Sequence, residues 1–286
     1  MSWLTHFTAA SLAALAMLLA PGPARVALSQ TSAALPAKID PASCNRPAFR
    51  IVVDVGHTAH VPGAKSARGF DEYDFNLRLA KEIEQALLEA GFARSVLLVT
   101  TEWRRVGLFQ RAAKANSLPA DLFLAIHHDS VPDRFMETWE YEGVAHHFSD
   151  RFKGHSLFVS NDNGDVRGSL LFGKLLGLQL KARGLKYTPH YVEKFMGRRQ
   201  RVLVDAEAGV YRYDQLIVLK STRMPAVLLE AGSIINRDEE VAMGDPERRG
   251  RISAAVTDAV TAFCALRGQG ARPAVAARPT ASAHRP

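Results

Sequence analysis

Short apolar runs rich in β-branched residues alternate along this chain with stretches whose apolar residues recur at helical spacing. This alternation constrains the fold more than any other feature. Residues 49–55 form the first run, of the kind expected for a strand buried on both faces. Leu77, Ala80, Ile83, Leu87 and Ala90 then mark a helix, with its C-cap predicted at Gly91. Residues 95–100 and 122–128 read as further strands, separated by a helix over about 108–116. A strand at 155–160, a helix at 166–183 ending at Gly184, a late strand at 226–230 and a last helix at 245–266 complete the series. Such alternation predicts an α/β fold: a single domain over 49–267, with a mostly parallel central sheet flanked by helices on both faces.

The flanks read differently. The apolar stretch at 9–20 is too short to span a bilayer comfortably. It is followed by Pro21, Gly22 and Pro23, then by small residues at Ala27-Leu28-Ser29. That order predicts a secretory signal peptide over 1–29, although its start lacks Lys and Arg, and a non-cleaved anchor is the alternative. Export follows, to the periplasm or to a secreted or wall-associated location. Residues 30–48, rich in Ala, Pro and Ser, read as a linker; residues 268–286, mostly Ala, Pro and Arg, read as a disordered tail.

The net charge of +7 favours acidic polymers as partners. The basic residues are scattered and no nucleic-acid-binding module is present, so nucleic acid is not expected as a partner. Arg198, Arg199 and Arg201 form the densest cluster and read as a solvated loop. Only two cysteines are present, Cys44 and Cys264, which rules out a cysteine-rich zinc site. Cys44 precedes the first strand, and the last helix runs back towards the same edge of the sheet. A disulfide between them is therefore an expectation, with two free thiols as the alternative.

In open α/β sheets ligands bind beyond the carboxyl ends of the strands. The first strand ends in Asp54-Val55-Gly56-His57, the third in Ile126-His127-His128-Asp129, and the late one in Glu230-Ala231-Gly232. Glu72 opens the helix after the first strand. Two histidines and two glutamates thus converge on one edge, the donor set a catalytic zinc site needs. His127 and His128 are adjacent on a strand, so only one faces that site. His146 and His147 are rival ligands, but their irregular polar segment reads as exposed. The long connection at 131–151 follows the third strand and reads either as a segment gating the site or as an ordinary surface excursion.

The neighbourhoods of these residues resemble the amidase_3 family of N-acetylmuramoyl-L-alanine amidases. The resemblance is carried by residues 51–57 with Pro62-Gly63-Ala64, by Gly69-Phe70-Asp71-Glu72 with Asn76-Leu77, and by Arg111 with Ala115-Asn116. It continues through Ala120-Asp121-Leu122-Phe123 into Ile126-His127, and through residues 224–230 with Gly232 and Asn236. The resemblance implies Zn2+ as cofactor, with His57, Glu72 and His127 as its ligands and Glu230 as the catalytic glutamate. It implies hydrolysis of the amide between N-acetylmuramic acid and L-alanine by a zinc-activated water. It places the protein with peptidoglycan as partner, as a monomer, with an activator protein as a candidate second partner. Val55 replaces a common Pro, Thr58 and Ala59 replace a Gly pair, and Thr101 stands where Arg is frequent; none of these removes a ligand. The competing readings are a zinc peptidase acting on wall peptides and a non-catalytic wall-binding module. The first is disfavoured by the wide spacing of His57 and Glu72, the second by the presence of Glu230 and His127.

Overall fold

The computed structural model describes residues 39–101, 103 and 106–270. The expected signal peptide, 1–29, and the tail from 271 onward lie outside the described residues. Strand β1 (Ile51–Val55) leads to helix α1 (Glu72–Glu89), β2 (Val96–Leu98), α2 (Val106–Ser117) and β3 (Leu122–Asp129). A hairpin of β4 (Glu137–Tyr141) and β5 (Val144–Phe148) precedes β6 (Ser156–Val159) and α3 (Val166–Ala182). Then follow β7 (Val202–Asp205), β8 (Val210–Arg212), the short α4 (Ile217–Lys220), β9 (Ala226–Ser233), α5 (Arg237–Gly244) and α6 (Pro246–Gly270).

Seven strands form the main sheet in the order β2-β1-β3-β9-β6-β8-β7, while β4 and β5 pair apart from it. The block β2-β1-β3-β9 is parallel throughout. β6 joins β9 antiparallel, β8 joins β6 in parallel, and β7 closes the edge antiparallel. Every residue of β1 is buried, because both faces of the sheet are covered. On one face Val52, Phe123, Ala125 and Leu228 pack with Ala115 of α2 and with Val218 and Leu219 of α4. On the other, α1 and α3 both pack against α6.

The buried stripe of α1 explains how the fold delivers polar groups to one edge. Leu79, Ala80, Ile83 and Leu87 face the core, and the stripe continues towards the N-terminus through Asn76 and Glu72. Helix periodicity therefore carries two polar side chains into the space beyond the ends of β1 and β3. The helix terminates at Gly91, whose φ of +90° supplies the left-handed turn that L side chains avoid.

Cys44 and Cys264 are joined by a disulfide, with Cα atoms 5.0 Å apart. Of the expected linker, residues 39–48 are folded onto the domain: a 3-10 turn at Pro41–Ser43 lies against α6, and Arg46 donates to the carbonyl of Ala90. The last helix extends through Gly270, three residues into the expected tail. Among the described residues, no helix is long and apolar enough to cross a membrane.

Candidate active site

Because β1, β3 and β9 are parallel neighbours, their carboxyl ends open on the same side. His57 follows β1 with a φ of +66°, a left-handed conformation that costs a non-glycine residue of order 1–3 kcal/mol and persists only where the surroundings enforce it. Arg111, on α2, does so. Its guanidinium donates to the carbonyls of Val55 and His57, both at 2.6 Å, and to Thr100 Oγ1 at 2.7 Å. It also pairs with Asp54 at 3.2 Å.

Glu72 lies between the two histidines. Its Oε2 is 3.0 Å from His57 Nε2, and its Oε1 is 3.0 Å from His127 Nδ1. The backbone N–H of Ala64 and the amide of Asn76 also donate to this carboxylate. The potential ligand atoms of His57, Glu72 and His127 all lie within 4.8 Å of one another, forming the one cluster of this kind among the described residues.

Two glycines leave room for the cluster. A Cβ on Gly56 would meet His127 Nε2 at 2.5 Å. One on Gly63, whose φ is +86°, would run into Glu72 Oε2 and come within 2.6 Å of the His57 ring. The protonation states also suit a cation. Burial alone would raise the Glu72 pKa, but hydrogen bonds from His127 and His57 outweigh it and hold the carboxyl well below the usual range. Burial lowers the pKa of His127 and keeps its imidazole neutral. A carboxylate and neutral imidazoles are the forms that bind zinc.

Glu230 is the register partner of His127 across the β3–β9 ladder. Its Oε2 is buried with no hydrogen-bond partner among the described residues. Burial, together with the charges of Asp129 and Glu72, pushes its pKa well above the carboxylate range, while Arg199 opposes the shift. Asp129 accepts two hydrogen bonds from the Tyr191 hydroxyl, at 2.8 and 2.7 Å. His57, His127 and Glu230 open onto one cleft of about 560 Å³. A groove of similar size between α1 and α5, about 580 Å³, holds none of them.

His128 points to the other face, as strand alternation requires, and its Nδ1 lies 2.7 Å from Asn76 Oδ1. Asn76 thereby ties Glu72, His128 and the carbonyl of Gly56 together. The signal for this role was its position four residues after Glu72 on the buried face of a helix. Two expectations are corrected. The segment carrying His146 and His147 is the regular strand β5 and not irregular; that neither joins the cluster agrees with setting them aside as ligands. The β4–β5 hairpin packs on the loop before Glu72, with Trp139 donating to the carbonyl of Ala67, and no residue of 131–151 lines the cleft.

A mostly parallel sheet with two histidines and two carboxylates gathered at its strand ends defines an α/β enzyme domain with a candidate metal centre. Residues 51–262 match the family model of Amidase_3, N-acetylmuramoyl-L-alanine amidase, and the chain belongs to that family. A putative N-acetylmuramoyl-L-alanine amidase of Buchnera aphidicola is 23% identical over 193 residues, covering 66% of this chain and 84% of its own. A probable amidase, AmiB, of Haemophilus influenzae is 26% identical over 232 residues, covering 74% and 51%. The solved amidase Ami1 of Mycobacterium smegmatis shares the fold, with a TM-score of 0.56 at 19% identity, covering 76% of this chain and 97% of that one. The protein is thus a cell-wall amidase acting on peptidoglycan.

Proposed function

We propose that this chain is a zinc-dependent N-acetylmuramoyl-L-alanine amidase. In this reading His57, Glu72 and His127 hold the metal and Glu230 moves the proton. The observation that carries the reading is the placement of Glu230 directly across the β3–β9 ladder from His127, on the cleft side of the cluster. A zinc ion bound there would polarise the scissile carbonyl and acidify the attacking water.

The residues of the chain supply the rest. Glu230 accepts a proton from water as it attacks the carbonyl carbon, then donates it to the alanine nitrogen as the C–N bond breaks. Its buried surroundings raise its affinity for that proton, which suits a group that must hold and release it within one turnover. Arg111 keeps the His57 backbone in its left-handed conformation, and Asn76 fixes the orientation of Glu72. The expected signal peptide places the enzyme outside the cytoplasm, in contact with its polymer. An activator protein is part of the same reading, since a solved structural relative, the CwlD amidase of Clostridioides difficile, is in complex with the GerS lipoprotein.

The test is digestion of purified sacculi followed by mass spectrometry. Release of free stem peptides with alanine amino termini, abolished by a chelator and restored by Zn2+, is the expected result. Products cut within the peptide would instead indicate a zinc peptidase.

A further inference from the structure

The arginine cluster that reads as a solvated loop in the sequence divides in the structure. Arg198 is exposed and does not line the cleft, whereas Arg199 and Arg201 form part of its wall, beside His57, His127 and Glu230. Both are half-buried and held in place. Arg199 Nη1 donates to the carbonyl of Ser130 at 3.0 Å. The Arg201 guanidinium lies 3.6 Å from the Tyr213 ring centroid, and its Nη1 donates to the carbonyls of Arg198 and Gln200. Neither takes part in an ion pair among the described residues, although the chain's other cleft arginine, Arg111, is paired with Asp54. Carbonyl contacts and ring stacking orient the two guanidiniums; Asp129 and Glu230 lie near enough to feel the Arg199 charge but form no ion pair with it, so neither guanidinium is committed to a carboxylate partner.

From this, and resting on the amidase reading above, we propose that Arg199 and Arg201 form a carboxylate-binding subsite. It would recognise the free α-carboxylate of the acidic residue that follows alanine in the stem peptide. The spacing supports that position. Ser130, which Arg199 contacts, lies three residues beyond His127, and three residues of extended chain span at most ~11 Å. A γ-linked glutamate directly after the alanine places its α-carboxylate within that reach of the scissile bond. The apolar side chains of Phe158, Leu216 and Ile217 in the same cleft suit the alanine methyl and the peptide stem between them.

The experiment compares two synthetic substrates, N-acetylmuramoyl-L-alanyl-γ-D-glutamyl-L-lysine and its isoglutamine counterpart, in which that one carboxylate is amidated. The zinc-loaded wild type is expected to favour the free acid at least ~10-fold in kcat/KM, chiefly through KM, as for loss of one charge-assisted hydrogen bond. Arg199→Gln and Arg201→Gln should each bring the ratio towards one, Arg199→Lys should retain part of it, and the control Arg198→Gln should keep it whole. Calorimetric titration with the corresponding alanyl peptides, free acid against amide, reads the same preference without turnover. Equal treatment of acid and amide by the wild type, or a preference that survives both glutamine substitutions, overturns the subsite. If neither substrate is cleaved while the free-acid peptide still binds more tightly, the amidase reading fails and the subsite stands. If nothing is cleaved and neither peptide binds, both fail.

Discussion

His127 on β3 and Glu230 on β9 are register partners in adjacent parallel strands, so their side chains rise from the same face of the sheet. Just beyond them the register shifts: Asp129 pairs with Ser233, leaving β9 one residue longer than β3 across this interval. A bulge beside a functional group re-aims the residues that follow it. Here the sheet register sets where Glu230 stands relative to the His57–Glu72–His127 cluster. A one-residue slip of β9 would turn Glu230 away from His127 altogether.

Gly63 is where the cluster is least tolerant of added atoms. Its φ of +86° disfavours any L side chain, and a Cβ would intrude on Glu72 and the His57 ring. Gly63→Ala should fold, because the change lies in a loop, but bind zinc about 10- to 100-fold more weakly. Competition with a chromophoric chelator measures the affinity, and circular dichroism confirms that the fold is retained. Wild-type affinity in the folded variant would refute this account of Gly63.

Arg111 should act through His57 rather than on substrate. Arg111→Lys keeps the charge but loses the planar fork that reaches the carbonyls of Val55 and His57 together. We expect weaker zinc binding by about 10-fold or more, with KM for peptide nearly unchanged once the metal is saturating. A variant that holds zinc normally would show that the left-handed backbone at His57 does not need the clamp.

Much of this site is legible in the sequence because strand ends in a parallel sheet share one edge. His57, Glu72, His127 and Glu230 can be placed there from alternation and periodicity alone. The wall of the cleft cannot. Arg199 ends a short 3-10 segment, Lys194–Arg199, that is broken at Gly197, and only the folded chain brings it against Ser130, 69 residues earlier. The β4–β5 hairpin is equally hard to read. Its strands carry charged and aromatic residues and are largely exposed, so neither a buried run nor a clean two-residue alternation marks them. The antiparallel entry of β6 beside β9 is likewise a matter of topology that no local pattern encodes.

The Cys44–Cys264 bond closes a separation of 220 residues and pins the segment before β1 to α6. Replacing both cysteines with Ser should cost about 2–5 kcal/mol. Urea unfolding should show the wild type falling to the double variant's midpoint on reduction, and the double variant insensitive to reductant. Identical midpoints under oxidising conditions would show that the bond adds nothing.

Stability should fall in mild acid. His155 is buried beside β6, where burial and then the charge of Arg248 pull its pKa down to about 4. Burial and then Arg199 do the same to His190, also to about 4. In the unfolded chain a histidine titrates near 6.5. Between those values the unfolded state takes up protons that the folded state refuses. The histidines' contribution is therefore fully present above pH ~6.5 and is lost as pH falls towards ~4, by on the order of 3 kcal/mol for His155, while Asp129, its pKa raised by burial to about 6, acts in the opposite sense. Urea midpoints across this range check the slope, which His155→Gln should make shallower. A slope unaffected by that substitution would show that His155 does not contribute.

Glu230 separates an acid–base catalyst from a structural carboxylate. Glu230→Gln keeps the size of the side chain and its capacity for hydrogen bonding, but cannot accept a proton. The three residues proposed to hold zinc are untouched, so metal content should stay at the wild-type level, while kcat falls by ~10²- to 10⁴-fold. Because Glu230 Oε2 is buried without a hydrogen-bond partner, the neutral amide removes a desolvated acid, and thermal stability should hold or rise. His127→Ala should behave differently, losing zinc and activity together, since two remaining ligands hold the metal poorly. The contrast between the two variants carries the argument, because a merely structural role for Glu230 would lower stability and spare turnover. A folded, zinc-loaded Glu230→Gln protein that digested peptidoglycan at the wild-type rate would exclude Glu230 as the proton carrier.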